Sequence, residues 1–506
     1  MGEDDNVTVS RPRLLLAGAL TAAAGVAVSE AAANLLAARV NPIQAVAEVV
    51  IAKTPGSVAE RLIHIVGRND KPFLVAGITI AIIVLGAVAG LLAGRRPVFG
   101  QALFLLMAVV AFLAAASRPQ FGAAESLSVI LGLAAWLVVL SILLSSARQV
   151  STSDVGRRRF LVTAGGVAVA AVAIGVFGEV SGRARRAVNE ARARLRLPIR
   201  AGAVPDGAQL PLGGVQSWRV PNPDFYRIDI SVVPPAVDPA TWRLRIHGMV
   251  DKEIELSYDD LVARQLTQDW VTICCVSNPV GGPLIGNAYW SGVRVAPLLA
   301  EAGVQAGADA VKQTSHDGWT CGTPLAALTD SRNAMLAIGM NGEPLPINHG
   351  FPVRMIVPGL YGYVSACKWV VDLEVTTYDT FSAYWTDRGW SVKGPVKTES
   401  RIEVPGNFAT VNAGTVGVGG HAWAQHTGIA KVEYRLDGNA WQQAHLGRVP
   451  SDDTWVQWGG SLQVASGRHT LAVRATDKSG YTQTPVQRDV VPNGATGWHT
   501  VQFTAS

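Results

Sequence analysis

The sequence predicts a multidomain chain: transmembrane α-helices at the N-terminus, then an α+β domain, then a C-terminal β-sandwich. Three observations carry this. Ala, Leu, Val, Ile and Gly dominate residues 1–180. From about residue 200 the composition becomes that of a soluble protein, with Trp, Pro, Asp and polar turns. From about residue 400 it changes again, to short alternating stretches broken by Gly turns. At 506 residues the chain is too long for one ordinary domain. The expected division is a membrane domain of about five helices over 1–180 and an Arg-rich linker over 181–214. A globular domain over 215–395 and a sandwich over 396–506 follow.

Four segments, 73–94, 98–117, 127–147 and 160–178, hold almost nothing but apolar residues and approach the ~20 residues a bilayer requires. A fifth, 14–38, is Ala-rich, contains Glu30 and is the weaker candidate. A cleaved signal peptide does not fit, because apolar spans keep coming after the first. The protein is therefore expected in the cell membrane as a multi-pass protein. The net charge of +5 does not call for a nucleic-acid partner. Much of the Arg falls between Arg183 and Arg200, as in an amphipathic helix or linker near lipid headgroups.

Two signals disagree on orientation. With a cytoplasmic N-terminus, Lys and Arg number 8 on the inner side (1–13, 95–97, 148–159) and 13 on the outer side (39–72, 118–126, 183–200). That count opposes an external C-terminal part. However, Arg157-Arg158-Arg159-Phe160-Leu161 stands just before the last span and resembles a twin-arginine export signal. That machinery carries folded, cofactor-loaded domains, so the C-terminal part is expected to be extracytoplasmic. Only His64 precedes residue 200, and it falls between spans, so no span offers the imidazole pair of a transmembrane haem. No Cys-x-x-Cys-His occurs either, and no haem is expected.

In the globular part, Trp242, Leu244 and Ile246 alternate as a strand ending at His247-Gly248, and "LSYDDLVAR" follows as a short helix. "DWVTICCVSN" is β-rich and closes on Asn278-Pro279. Period-2 alternation puts Val271, Ile273 and Cys275 on one face and Cys274 on the other. "WSGVRVAPLLAEAGV" is expected as a turn and a helix, and "AVKQTSHDGWTCGTPLAAL" as strand, turn and helix. The stretch from Met335 to Val375 is expected as a strand, an Asn-Gly turn, a Pro-rich loop and two strands, which makes the domain α+β. Beyond residue 400, Val432, Tyr434 and Leu436 alternate up to an Asp437-Gly438 hairpin turn. That pattern fits a β-sandwich without the Cys…Trp…Cys spacing of an antibody domain.

"CVSNPVGGPLIGNAYWSGVRVAPLL" and "NGEPLPINHGFPVRMIVPGLYGYVSACKWV" resemble the sulfite-oxidase family of molybdopterin-dependent oxidoreductases. The tail "GYTQTPVQRDVVPNGATGWHTVQF" resembles that family's Ig-like dimerisation domain, which implies a homodimer. The resemblance covers roughly 215–506, about three-fifths of the chain. It implies a molybdenum–molybdopterin cofactor, a small-molecule substrate and a separate electron donor or acceptor.

The resemblance also assigns roles. Cys275, before x-x-Asn278, would ligate molybdenum through its thiolate, a soft ligand for a soft site. His349 and Arg354 match a pterin-binding pair, since Arg can fork onto a phosphate. Ser365, Ala366, Cys367 and Lys368 match the next pterin-binding loop, and Asp317 matches a pterin-binding acid. Arg227 and Asp229, in Phe225-Tyr226-Arg227-Ile228-Asp229, match the first cofactor strand, where the animal and plant oxidases have His in place of Asp229. Tyr384, with Trp385 and Trp390, corresponds to the active-site tyrosine at the mouth. Cys321 and Cys367 are compatible with a disulfide or with two buried thiols, and Cys274 with simple packing. Five residues after Cys275, where sulfite oxidases place a substrate arginine, stands Val280. The expected activity is thus two-electron oxygen-atom transfer on a less charged molecule than sulfite. Sulfite oxidation proper and a non-catalytic interaction protein with a vestigial site are the alternatives.

Overall fold

The computed structural model describes residues 10–36, 38, 41–55, 58, 70–118, 121–148, 154–180 and 183–506; His64 lies outside them. Two units result, Met1–Glu190 with Ile230–Ala236, and Ala191–Asp229 with Val237–Ser506.

The first unit is helical: α1 (Arg11–Leu35), α2 (Pro42–Lys53), α3 (Asp70–Arg95), α4 (Pro97–Ala116), α5 (Ala123–Arg148) and α6 (Asp154–Val180). Four stretches, Arg11–Leu35, Lys71–Arg95, Pro97–Ala116 and Ala123–Ala147, are long and apolar enough to cross a membrane. The Ala-rich helix expected to be the weaker candidate is among these four, and the run expected over 160–178 lies within α6.

The reason lies in packing. α1 contacts α3, α5 and α6, and small residues let those backbones approach closely. A Cβ on Gly18 would lie 2.0 Å from the carbonyl oxygen of Gly86. One on Gly25 would strike the Trp136 indole, whose Nε1 donates to the Ala22 carbonyl at 3.0 Å. Ala and Gly dilute the hydropathy of α1 because it is the helix the others pack on.

The second unit begins within α7 (Arg183–Arg194). One sheet runs β2 (Ile254–Ser257), β1 (Arg243–Gly248), β10 (Val370–Thr376), β5 (Ala310–Ser315), β6 (Thr320–Pro324); only its β1–β10 pairing is parallel. A second runs β3 (Leu266–Cys274), β4 (Ile285–Arg294), β7 (Met335–Met340), β8 (Glu343–Pro344), with β9 (Arg354–Ile356) also on β7. Short helices α8 (Tyr258–Val262), α9 (Val295–Ala302), α10 (Leu325–Thr329) and α11 (Gly362–Ser365) connect the strands. This is the α+β domain expected, with two corrections. "WSGVR" is not a turn but the end of β4, a strand paired on both sides, where Gly292 lets the Leu336 carbonyl approach. "TCGTP" is strand β6 rather than part of a turn, because it pairs with β5.

The C-terminal region forms two sheets. The first comprises β11 (Glu399–Val404), β13 (Gly414–Trp423), β17 (Val456–Val464) and β16 (His445–Leu446). The second comprises β12 (Thr410–Val411), β19 (His499–Ala505), β18 (Gly467–Asp477), β14 (Ile429–Leu436) and β15 (Gln442–Gln443). Val418 and Trp458 from the first share one core with Val432, Val473 and Phe503 from the second. The hairpin turn is at Asp437-Gly438, both with positive φ, as its type requires.

Gly18→Val is expected to destabilise the helical unit by ~1–3 kcal/mol through overpacking. Gly166→Val, with open space around the position, leaves it unchanged. Thermal unfolding of the detergent-solubilised chain reads the difference.

Candidate functional site

The site forms where the β3–β4 turn, the loop before β9 and the loop after α11 meet. β3 ends at Cys274, so Cys275 lies one residue beyond the strand. Both thiols are buried. Cys274 donates to the Cys275 carbonyl at 3.4 Å, and its thiol, pushed well up by burial, feels Glu399 and Arg401 of β11. The Tyr226 hydroxyl feels both thiols, Cys275 the more strongly. The x-x-Asn part of the motif has a structural task. Asn278 Oδ1 accepts from the Leu284 amide at 2.8 Å, and the Asn278 amide donates to the Cys275 carbonyl at 3.1 Å. With the Cys275 amide donating to Leu284 at 2.9 Å, these bonds fix the thiol's loop.

Opposite stand the cations. Arg354 is on β9, only 4% exposed. One terminal nitrogen donates to the His349 carbonyl at 3.2 Å and the other to the Ala366 carbonyl at 3.4 Å, while Nε has no partner. Its guanidinium lies 5.0 Å from the centre of the Trp290 ring. Burial pulls it down to about 10, and no carboxylate pairs with it among the described residues. An uncompensated buried charge is costly, so the arrangement calls for an anion. His349 donates through Nε2 to the Asn222 carbonyl at 3.1 Å. Burial, then the charges of Arg354, Lys368 and Arg227, pull the imidazole down to about 3, so it is neutral at pH 7. Asp229 Oδ2 accepts from Lys368 Nζ at 2.8 Å and from Arg227 Nε at 2.9 Å, holding the two cations side by side. A cleft of about 510 Å³ opens beside His349, lined by Arg192, Arg219, Asn222, Asn341, Glu343 and Asn348 among others.

The remaining expected residues divide. The Ala366 carbonyl and the Lys368 ammonium join the cluster, but the Ser365 hydroxyl turns to the carbonyls of Leu360 and Tyr361, each at 3.0 Å. The Cys367 thiol, pushed up by burial, neighbours Cys321, and both are free thiols. Asp317 Oδ1 accepts from the Trp319 amide at 3.1 Å in the β5–β6 turn, and its charge reaches Cys367. Tyr384 sits in an aromatic cluster with Trp385 and Trp390, with the Arg388 guanidinium 3.6 Å over its ring. Like Tyr361, Tyr226, which sequence reasoning passed over as part of a strand motif, feels the Cys275 thiol. Part of its ring reaches the surface, while its hydroxyl end is enclosed. Burial, then Cys275 and Cys274, raise that hydroxyl well above its ordinary value. The hydroxyl flanks Gly362 together with the Cys274 carbonyl. The signal available was its place between Phe225, which packs on His349, and Arg227.

Residues 231–385 match the family described as oxidoreductase molybdopterin binding domain. An uncharacterized oxidoreductase, YuiH, of Bacillus subtilis (strain 168) is 33% identical over 184 residues, covering 35% of this chain and 89% of that protein. The chain belongs to the molybdopterin-binding oxidoreductase family that includes the sulfite oxidases. The mitochondrial sulfite oxidase of Homo sapiens is 28% identical over 346 residues, 57% of this chain and 62% of that protein. The nitrate reductase [NAD(P)H] of Hordeum vulgare is 27% identical, over 56% of this chain and 39% of that one. The chain thus spans about three-fifths or less of the sulfite oxidases named first among its relatives. Among solved structures, the sulfane dehydrogenase SoxCD of Paracoccus pantotrophus aligns at TM-score 0.48 and 22% identity, over 56% of this chain and 81% of that chain. The family cofactor is molybdenum held by molybdopterin, and the site suits it: an orphaned, buried guanidinium fits an anion, and both it and the buried Cys275 thiol act on the Tyr226 hydroxyl.

His349 binds a proton more readily unfolded (6.5) than folded (about 3), so stability of the cofactor-free protein rises with pH across that window and is complete above it. His349→Gln is expected to flatten this limb. The difference between parent and variant in denaturant midpoint, followed from pH 3.5 to 7, measures it.

Proposed function

We propose that the chain is a membrane-anchored, molybdenum-dependent oxidoreductase carrying out two-electron oxygen-atom transfer on a small, weakly charged molecule. The observation that carries this is Arg354, a buried cation without a carboxylate, whose charge reaches the same Tyr226 hydroxyl as the Cys275 thiol does. Cys275 would hold the metal as its thiolate, and Arg354 with Lys368 and Arg227 would hold the anionic pterin phosphate. His349 and the Ala366 backbone keep Arg354 in place through their carbonyls. The group, when bound, supplies the two-electron chemistry. The chain's own residues bind, orient and exclude water. Trp290 and Phe225 wall off the buried side, and Tyr226 offers a phenol, protonated at neutral pH, that can donate to an oxygen of the substrate.

Val280 supports the choice of substrate. It is half-buried in the turn after Cys275 and brings no charge, which favours a sulfoxide or similar acceptor over a dianion. Relatives named for sulfite and for nitrate indicate that the family accommodates more than one substrate. The extracytoplasmic placement of 215–506 rests on the Arg157–Leu161 signal, and the four long apolar helices support anchoring. The two-sheet core over 396–506 supports an Ig-like domain serving a homodimer. A separate electron donor or acceptor completes the cycle.

Metal and pterin content test the cofactor assignment. Arg354→Met is expected to lower both at least about tenfold, the scale of one lost charged hydrogen bond, with Arg354→Lys intermediate. Equal content in all three would refute it. For the substrate, sulfite and dimethyl sulfoxide are assayed with artificial electron carriers. The parent favours the sulfoxide, and Val280→Arg is expected to lower the KM for sulfite about tenfold. A parent already efficient on sulfite would establish the alternative.

A further inference from the structure

The turn after Cys275 is not held by its own domain alone. Pro279–Gly282 is closed by the Gly282 amide donating to the Pro279 carbonyl at 2.8 Å, with Gly281 at φ +76°. The next contacts come from β11, on the C-terminal sheets. Arg401 donates through one terminal nitrogen to the Gly282 carbonyl at 3.0 Å. Its Nε donates to Glu403 at 2.6 Å, and its other terminal nitrogen also reaches Gln216. Arg401 is 4% exposed, and its guanidinium lies 5.6 Å from the centre of the Trp455 ring. His421, fully buried and stacked on Trp455 at 3.8 Å, reaches Glu403 at 3.1 Å. His421 is held below its ordinary value by burial and is neutral at pH 7, so Arg401 carries the charge that Glu403 balances.

A second contact fixes the neighbouring residue. A Cβ on Gly281 would lie 2.2 Å from the His499 ring, and His499 Nδ1 accepts from the Ile402 amide at 2.9 Å. Arg401 and Ile402 of one strand therefore grip Gly282 and Gly281, directly and through His499.

We propose that Arg401, with Glu403 behind it, is a positioning residue that sets the Cys275–Gly282 loop, and with it the placement of the metal thiolate and of Val280. The two sheets beyond residue 399 are then part of the active site. Glu403 cancels the guanidinium charge, so Arg401 adds no anion affinity; it supplies geometry. This rests on Cys275 as the metal ligand, and the test separates the two ideas.

Hydrogen exchange is measured on the full chain in detergent, followed by mass spectrometry of the peptide spanning 275–284, for the parent, Arg401→Met, Arg401→Lys and Gly281→Ala. Gly281→Ala disturbs the grip while leaving the charged cluster intact, so it decides the matter should Arg401→Met fail to fold. The same proteins are examined by Mo(V) electron paramagnetic resonance and metal analysis. Arg401→Met and Gly281→Ala are expected to speed exchange of that peptide about tenfold and to shift the Mo(V) spectrum at unchanged molybdenum content, with Arg401→Lys partly restoring both. Exchange at the parent rate, or faster exchange with an unaltered spectrum, overturns the proposal. A parent without molybdenum removes the cofactor reading instead, while the exchange rates still decide whether β11 holds the loop.

Discussion

A guanidinium buried without a carboxylate organises the catalytic region. Arg354 is held by two backbone carbonyls and an indole face, none of which neutralises it. Asp229 with Lys368, and Glu403 with Arg401, are by contrast paired. Leaving one unpaired costs stability that an anion would return, and the surrounding elements make sense as its support. The turn Ile347–His349 presents its last carbonyl to Arg354, and β9 places Arg354 opposite Lys368. The same field keeps His349 neutral.

The thiol side is built by different means. Backbone hydrogen bonds and Asn278 bring Cys275 out of β3 into a fixed turn, and β11 then grips the far end of that turn. A segment more than a hundred residues later in the chain thus bears on the loop of the thiol proposed to hold the metal, and through it on the placement of Val280.

Much of this was legible in the sequence. The alternating strands, the Asp437-Gly438 turn and the His349…Arg354…Lys368 order carry local signals that survive folding. What escaped depends on tertiary contact. β4 and β6 read as turns because Gly292 and Gly322 break the pattern, and only their partner strands make them strands. Helix α1 read as weak because small residues serve close packing rather than lipid contact. That the Tyr226 hydroxyl feels the Cys275 thiol also escaped, since proximity across the fold has no periodicity to read.

The central claim, a metal held by Cys275 and an anionic cofactor seated on Arg354, is tested most directly by X-ray absorption at the molybdenum edge. Parent and Cys274→Ser proteins are predicted to show the same number of sulfur neighbours. Residual metal in Cys275→Ser should show one fewer. Loss of the sulfur in Cys274→Ser, or its retention in Cys275→Ser, would contradict the account.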